Sequence, residues 1–415
     1  MERYTAGYLR NGVGYLLAPS QGARVCHAAL FLRAGPRFES PELSGVTHFL
    51  EHLLANPAYF RGELRRVWEK LQDQGARLGA WTAKEYLMVQ LLVPSDAVPD
   101  AFKFLRLVIE PARLRKKDVE TERKVILEEI ARRRYTPQQA FLVVEEALFR
   151  GGYGMPVLGK AETVERMSLD DIKGWARQVV SADSLRLVIS GEIPDGVTTA
   201  LEIFSELKAG NPPNGDEGVE IAPRFVLIPG ETPRVRLLFA FPGPGYAQDE
   251  RPASEVLAYL MGGDFGSPVF ENLRQSRGLA YEAFGSSMHY KDVGLFFFNA
   301  ELSRENLQKG FGVLMETIRG IHRSSIAEKV LQRAKSALAL STFRHADPAQ
   351  LLGKLGMRWL NDGLYFPSQE AKRYQKVKLD EVQAVAKRYL NPEAMAMVAV
   401  GVSSEELSQM MEVLG

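Results

Sequence analysis

The segment VTHFLEH, residues 46–52, places two of the chain's six histidines four positions apart with a glutamate between them. On a helix, at about 100° per residue, positions 48, 51 and 52 fall near 0°, 300° and 40°, so His48, Glu51 and His52 project from one face. Two imidazoles one turn apart can hold a Zn²⁺ ion at about 2.0–2.1 Å each, but a hydrolytic site needs a third protein ligand and keeps a fourth position for water. The lone cysteine, Cys26, leaves no thiolate set to draw on, so a carboxylate is expected. The stretch ETERKVILEEIARRR (120–134) offers candidates: Glu122 and Glu129 share a helix face within about 20°, while Glu128 points elsewhere. Glu51 sits on the imidazole face, where a carboxylate can take a proton from metal-activated water and return it to a leaving amine. Phe49, Leu50, Leu53 and Leu54 flank the trio with the apolar cover of a helix packed into a core.

Elements must bring these distant residues together, and the chain repeats itself in doing so. MSLDDIKGWARQVVSADSLRLVISGEI (167–193) aligns without a gap to VKLDEVQAVAKRYLNPEAMAMVAVGVS (377–403), each reading as an amphipathic helix, a turn and a buried strand ending in glycine. LLVPSDAVPDAFKFLRLVI (91–109) echoes FFFNAELSRENLQKGFGVLMETI (296–318) as strand, polar turn and helix. Between the halves, KAGNPPNGDEG (208–218) has linker composition. The expected architecture is α+β: a zinc-binding domain at 1–208, a linker at 209–219 and a homologous domain at 220–415, each a mixed, largely antiparallel sheet flanked by helices. At an offset of 208, matching Gly35-Pro36 to Gly243-Pro244, His48, Glu51 and His52 fall on Val256, Tyr259 and Leu260, so one zinc per chain is expected.

Composition limits the alternatives. Hydrophobic residues at 46% and charged residues at 25% are ordinary for a globular chain of 415 residues. With 52 basic and 51 acidic residues there is no field to recruit nucleic acid or an anionic membrane. No secretory signal and no run of 18 apolar residues is present, so a cytoplasmic location is expected.

SGVTHFLEHLL resembles the inverted zinc-binding signature of the insulinase, pitrilysin and mitochondrial processing peptidase family. Glu129 lies 77 residues after His52 and seven after Glu122, which matches the family's spacing. The resemblance implies His48, His52 and Glu129 as zinc ligands, Glu51 as general base and Glu122 as a carboxylate that orients a ligand. DQGARLGAWTAKEYLMVQLL (73–92) resembles the family's edge strand, which implies that Leu78, Gly79 and Ala80 pair with extended substrate. GGYGMPVLG (151–159) and LMGGDFGSPVFENLRQSRGLAYEAFGS (260–286) resemble later family segments, the latter implying Arg274 and Tyr281 as substrate-binding residues, between the two halves. The sequence departs from the pattern in two places: Gly79 stands where the family usually has Asn, and ANPAYFRG (55–62) replaces its usual Phe-Lys-Gly-Thr.

The implied function is a zinc metalloendopeptidase cutting peptides or unfolded segments inside a chamber of which one chain forms half. The implied partner is a second copy, or a related subunit in a heterodimer. The alternative is a non-catalytic structural or chaperone-like subunit of a processing-peptidase-like complex. Other features point less far. His27 reads as a packed strand histidine; His289, His322 and His345 have no neighbour at metal spacing. The basic runs at 113–118 and 131–135 read as a solvated face, GGDFGS (262–267) lacks the ending of a phosphate loop, and Cys26 has no activating neighbour.

Overall fold

The structure, a computed structural model, describes residues 4–133, 139–215, 219–230, 233–321, 326–343, 348–361 and 363–412. His322, His345, the end of the second basic run and linker residues 216–218 lie outside the described residues.

The first unit holds a six-stranded sheet in which Leu87–Val93 alternates buried and half-buried residues while Cys26–Leu32 and Leu185–Gly191 are buried almost throughout. Its order is Thr5–Tyr8, Gly14–Pro19, Leu185–Gly191, Cys26–Leu32, Leu87–Val93, Arg77–Thr82. Only the pairing of Gly14–Pro19 with Leu185–Gly191 is parallel. The second unit has five strands, Phe225–Ile228, Ala396–Val400, Arg234–Pro244, Val293–Ser303 and Ala280–His289, and again a single parallel pair, Phe225–Ile228 with Ala396–Val400. The two sheets therefore have the same strand order and sense from the second strand of the first sheet onward, as duplication requires.

The repeat is visible in detail. Helices Leu169–Val179 and Leu379–Tyr389 begin at matched positions, and each carries a carboxylate in its first turn that accepts from the backbone N–H ahead of the helix: Asp171 from Ser168 at 2.8 Å, Glu381 from Lys378 at 2.7 Å. The glycine closing each repeat has a reason. Gly191 and Gly401 sit at φ 110° and 78°, and a Cβ on Gly191 would meet the Val25 carbonyl oxygen at 2.3 Å.

The contiguous division at 208–220 differs from how the chain packs. The first compact unit takes residues 1–131, 155–217 and 344–366; the second takes 132–154, 218–343 and 367–415. Helix Pro348–Asn361, from the C-terminal half, lays Leu352, Leu355 and Trp359 on Leu16, Ala29, Phe31 and Val188 of the first sheet. Helix Gln139–Leu148, from the N-terminal half, lays Ala140, Val144 and Leu148 on Leu238, Leu295 and Val398 of the second. Each sheet thus has one face covered by helices of its own half and the other by a helix contributed from the opposite half of the sequence. On the first sheet's own-half face, Phe49, Leu50 and Leu53 of helix Val46–Ala55 join Leu30, Val89, Leu91, Phe102 and Leu105 in one core. That packing fixes where the histidine face must point.

Candidate metal centre

Helix Val46–Ala55 is held at its start by buried polar contacts. Gly45, at φ 95°, turns the chain into the helix against Gly159, where a Cβ would come within 2.7 Å of the Gly159 Cα. The Glu39 carboxylate accepts from the Gly45 N–H (2.7 Å) and the Thr47 N–H (3.0 Å), satisfying donors that a helix start leaves over. The Thr47 hydroxyl accepts from Gly35 N–H and from the Trp175 indole N–H, both at 3.0 Å. Burial pushes the Glu39 carboxyl up to about 7, although the Thr47 and Gly45 groups and the Lys84 ammonium pull the other way.

On the other side of this helix His48 and His52 present their Nε2 atoms to each other at 3.2 Å. Glu129, on helix Lys116–Arg133, brings Oε2 to 3.6 Å from His48 Nε2 and 3.4 Å from His52 Nε2. Donors about 2.0–2.1 Å from a tetrahedral ion lie about 3.3–3.4 Å apart. The triangle of 3.2, 3.4 and 3.6 Å therefore has the size of one face of such a polyhedron. Two neutral imidazoles and one carboxylate are also the donor types that zinc takes in hydrolytic sites, so the residues fit the ion. Among the described residues this is the one group of three or more His, Cys, Asp or Glu whose donor atoms all lie within 4.8 Å of one another.

The electrostatics favour positive charge at this point. Burial works to lower His52, yet the Glu122 and Glu129 carboxylates overcome it and hold the imidazole up at about 9. An environment that binds a proton this firmly between two carboxylates also stabilises a cation there. Burial raises the Glu51 carboxyl, while neighbouring Thr82 and His52 partly offset it. Glu122 is buried and would be raised by that alone, but hydrogen bonds from His52, Tyr59 and Asn56 hold it below the ordinary carboxylate value. Its Oε1 lies 2.8 Å from His52 Nδ1, so it sets the tautomer that frees Nε2 as a donor to a metal.

Leu78, Gly79 and Ala80 lie on Arg77–Thr82, the outermost strand of the first sheet, paired with Leu91, Gln90 and Val89. Leu78 and Ala80 face the core, Trp81 on the opposite face is 61% exposed, and Thr82 at the strand's end stands beside Glu51. The strand edge therefore runs toward the general-base candidate. Gly79 has no side chain, and the facing Gln90 amide occupies the neighbouring space, 3.2 Å from where a Cβ would be.

Arg274 and Tyr281 belong to the second unit. Arg274 lies in a wide turn, Glu271–Gln275, closed by the Ser276 N–H on the Glu271 carbonyl at 2.9 Å. Tyr281 is the extra residue of a β-bulge between Ala280 and Glu282, and is 62% exposed. Both local irregularities re-aim a side chain. They bring the Arg274 guanidinium to 5.8 Å from the Tyr281 ring, with Arg234 at 4.1 Å from the same ring. Neither the bulge nor Arg234 is foretold by the sequence.

Sequence reasoning also missed Glu39, Asn56, Tyr59, Arg61 and Asp118. A signal for Asp118 existed: positions 118, 122 and 129 form one carboxylate stripe on a helix. Cys26 is buried and its thiol is pushed up to about 12 by burial and by Glu192, which removes it as a nucleophile. His289 is a buried strand residue, bonded to the Pro244 carbonyl at 2.7 Å. No helix among the described residues is long and apolar enough to cross a membrane.

The model of the insulinase family (peptidase family M16) matches residues 15–161, and that of the peptidase M16 inactive domain matches residues 166–338. An uncharacterized zinc protease of Bacillus subtilis is 25% identical over 348 residues, covering 81% of this chain and 82% of that one. One from Mycobacterium bovis is 27% identical over 373 residues, covering 87% and 85%. Among solved structures, a protease from Helicobacter pylori superposes with TM-score 0.84 at 16% identity, covering 97% of this chain and all of that one. A peptidase M16 inactive domain from Pseudomonas fluorescens superposes at 0.83 and 18% identity, covering 97% and 98%. The chain belongs to the insulinase family, peptidase M16.

Proposed function

We propose that the protein is a zinc-dependent endopeptidase in which His48, His52 and Glu129 hold one Zn²⁺ and Glu51 is the general base. The observation that carries the reading is the triangle of donor atoms, which has the dimensions and chemistry of a three-ligand hydrolytic site. Zinc, when bound, supplies an activated water and polarises the scissile carbonyl. Glu51 takes the proton from that water and delivers it to the departing amide nitrogen. The edge Arg77–Thr82 holds an extended peptide through its unpaired backbone groups, so affinity comes from main-chain hydrogen bonds with modest sequence preference. Arg274 and Tyr281 are assigned to the same substrate, as donors to its backbone. The active unit is a homodimer, or a heterodimer with a related subunit, and its location is the cytoplasm.

The match of residues 166–338 to an inactive domain concerns the part of the chain where Val256, Tyr259 and Leu260 stand in place of the catalytic set, and leaves the zinc half intact. The test is zinc stoichiometry together with cleavage of a quenched peptide library by wild type and Glu51→Gln, with chelator and re-addition controls. One zinc per chain in both proteins is expected, with turnover reduced about 10²–10⁴-fold in the variant. Wild type that binds no zinc, or Glu51→Gln that cuts at the wild-type rate, refutes the assignment and leaves the non-catalytic subunit as the reading.

A further inference from the structure

We propose that the short segment 56–61, where the sequence departs from the family pattern, is a positioning element that sets the register of the Glu129 helix and the orientation of His52. The inference rests on the zinc reading above and extends it to residues that touch neither metal nor substrate.

Two grips carry the argument. The first acts through Glu122. As the chain leaves helix Val46–Ala55, the Asn56 side-chain Oδ1 accepts from the Ala58 N–H at 3.0 Å, which turns its Nδ2 to donate to Glu122 Oε2 at 3.2 Å. The Tyr59 hydroxyl donates to the same oxygen, and Glu122 Oε1 faces His52 Nδ1. Glu122 is only 3% exposed, and a carboxylate so buried is costly unless its lone pairs are filled. With Asn56 and Tyr59 occupying one oxygen, the other is left to His52 alone. The second grip acts on Asp118, one turn earlier on the same helix. Arg61 meets it with two nitrogens, at 2.8 and 2.7 Å, and also donates to the Tyr59 carbonyl at 2.8 Å, locking the segment to itself.

Asp118 and Glu122 lie about 6 Å apart along the helix axis, and Glu129 about 10 Å beyond Glu122. A helix held at two points can neither slide nor roll. A one-residue slip would move Glu129 about 1.5 Å and rotate it about 100°, against a tolerance of about 0.5 Å for a working constellation. Since the imidazoles and Glu129 come from helices some 70 residues apart in sequence, something must convert sequence distance into ångström precision. The 56–61 segment is built to do so.

The experiment measures zinc affinity by competition with a chromophoric chelator, and the visible spectrum of the Co²⁺-substituted protein, for wild type, Tyr59→Phe, Asn56→Ala and Arg61→Lys. Each variant is made alone, and Tyr59→Phe also in a Glu122→Gln background. Tyr59→Phe is expected to weaken zinc about 10-fold, the low end for groups that orient a ligand, and to add nothing once Glu122 is Gln. Asn56→Ala should act in the same direction more weakly. Arg61→Lys keeps the charge but loses the fork, and should shift the Co²⁺ absorption as Glu129 moves. Unchanged zinc affinity in Tyr59→Phe, or an equal loss in both backgrounds, overturns the inference, since a merely structural tyrosine would act regardless of Glu122. Wild type that binds no zinc would instead overturn the hydrolase reading and this inference with it.

Discussion

Glu39 makes the stability of the first unit depend on pH in a direction and by an amount that follow from its surroundings. The carboxyl is 7% exposed and accepts from the Gly45 and Thr47 N–H groups at the start of the histidine helix. Burial raises it from 4.5 to about 7. At about 1.4 kcal/mol per pH unit, ionising Glu39 costs the folded chain about 3 kcal/mol more than the unfolded one. Between pH 4.5 and about 7 the folded chain keeps a proton that the unfolded chain has released, so stability falls as pH rises. The contribution is complete below pH 4.5 and gone once pH has passed through about 7. Glu39→Gln removes the titration with little change of shape. All four tryptophans, Trp68, Trp81, Trp175 and Trp359, belong to the first unit, so urea unfolding followed by tryptophan fluorescence reports on it selectively. Run from pH 5 to 8 with chelator present, wild type should lose about 2–3 kcal/mol relative to Glu39→Gln. A difference that stays flat, or grows with pH, refutes the reasoning; it would mean that the helix start and Lys84 outweigh burial and keep the carboxylate ionised throughout.

Gly45→Ala should cost about 1–2 kcal/mol from its left-handed backbone alone, and more because the Gly159 backbone must move, with zinc affinity falling in parallel; calorimetry and chelator competition read both. Gly79→Asn should fold with a stability change under about 1 kcal/mol, because only the flexible end of Gln90 has to yield, while the ranking of cleaved peptides in a library shifts. Cys26 should resist a thiol reagent at pH 8 in the native protein and react at once in denaturant; rapid native labelling would contradict a buried thiol raised to about 12.

Different parts of the molecule are legible in the sequence for different physical reasons. His48, Glu51 and His52 are local: helical periodicity alone puts them on one face, and the apolar residues between them say which way that face cannot point. Glu129 shares a face with Glu122 by the same periodicity, but its meeting with the imidazoles, at 3.4 and 3.6 Å, is a tertiary fact. The duplication is legible because 167–193 and 377–403 keep one helix–turn–strand pattern without a gap, down to matched residues such as Asp170 with Asp380 and Gly191 with Gly401. Helix exchange is not, since an apolar face such as Ala140, Val144 and Leu148 demands a cover without naming which sheet supplies it. Composition marks a linker at 208–218, whereas the chain also crosses between units near 131 and 155 and near 343 and 366, where composition is ordinary. The Arg61–Asp118 grip joins residues 57 apart with no periodic relation, and pairs of this kind leave no trace in a single sequence.

The two copies differ at the positions of the histidine pair. Helix Arg251–Gly262 is the second unit's counterpart of the histidine helix, and at His48 and His52 it carries Val256 and Leu260, 0% and 8% exposed in its core. It still has to be fastened to a distant helix, and it does so with Arg251, 1% exposed, bonded to Glu255 at 2.8 Å and to Glu370 of helix Pro367–Lys376 at 2.5 Å, while the Tyr374 hydroxyl donates to Glu255. In the first unit the polar contacts beside the histidine helix are Arg61 on Asp118 and Tyr59 on Glu122, at positions that do not align with those of the second unit. Each unit thus has an arginine–carboxylate and a tyrosine–carboxylate contact beside this helix, with Arg251 buried and the Arg61 side chain 36% exposed, built from different positions in the two copies. A carboxylate of each network faces an imidazole, Glu122 facing His52 and Glu255 facing His289, and the copies differ in what lies around that imidazole. His52 belongs to the group of donor atoms with His48 and Glu129; in the second unit the histidine positions are apolar, and His289, with Nε2 3.5 Å from Glu255, lies on the strand Ala280–His289 and belongs to no such group among the described residues.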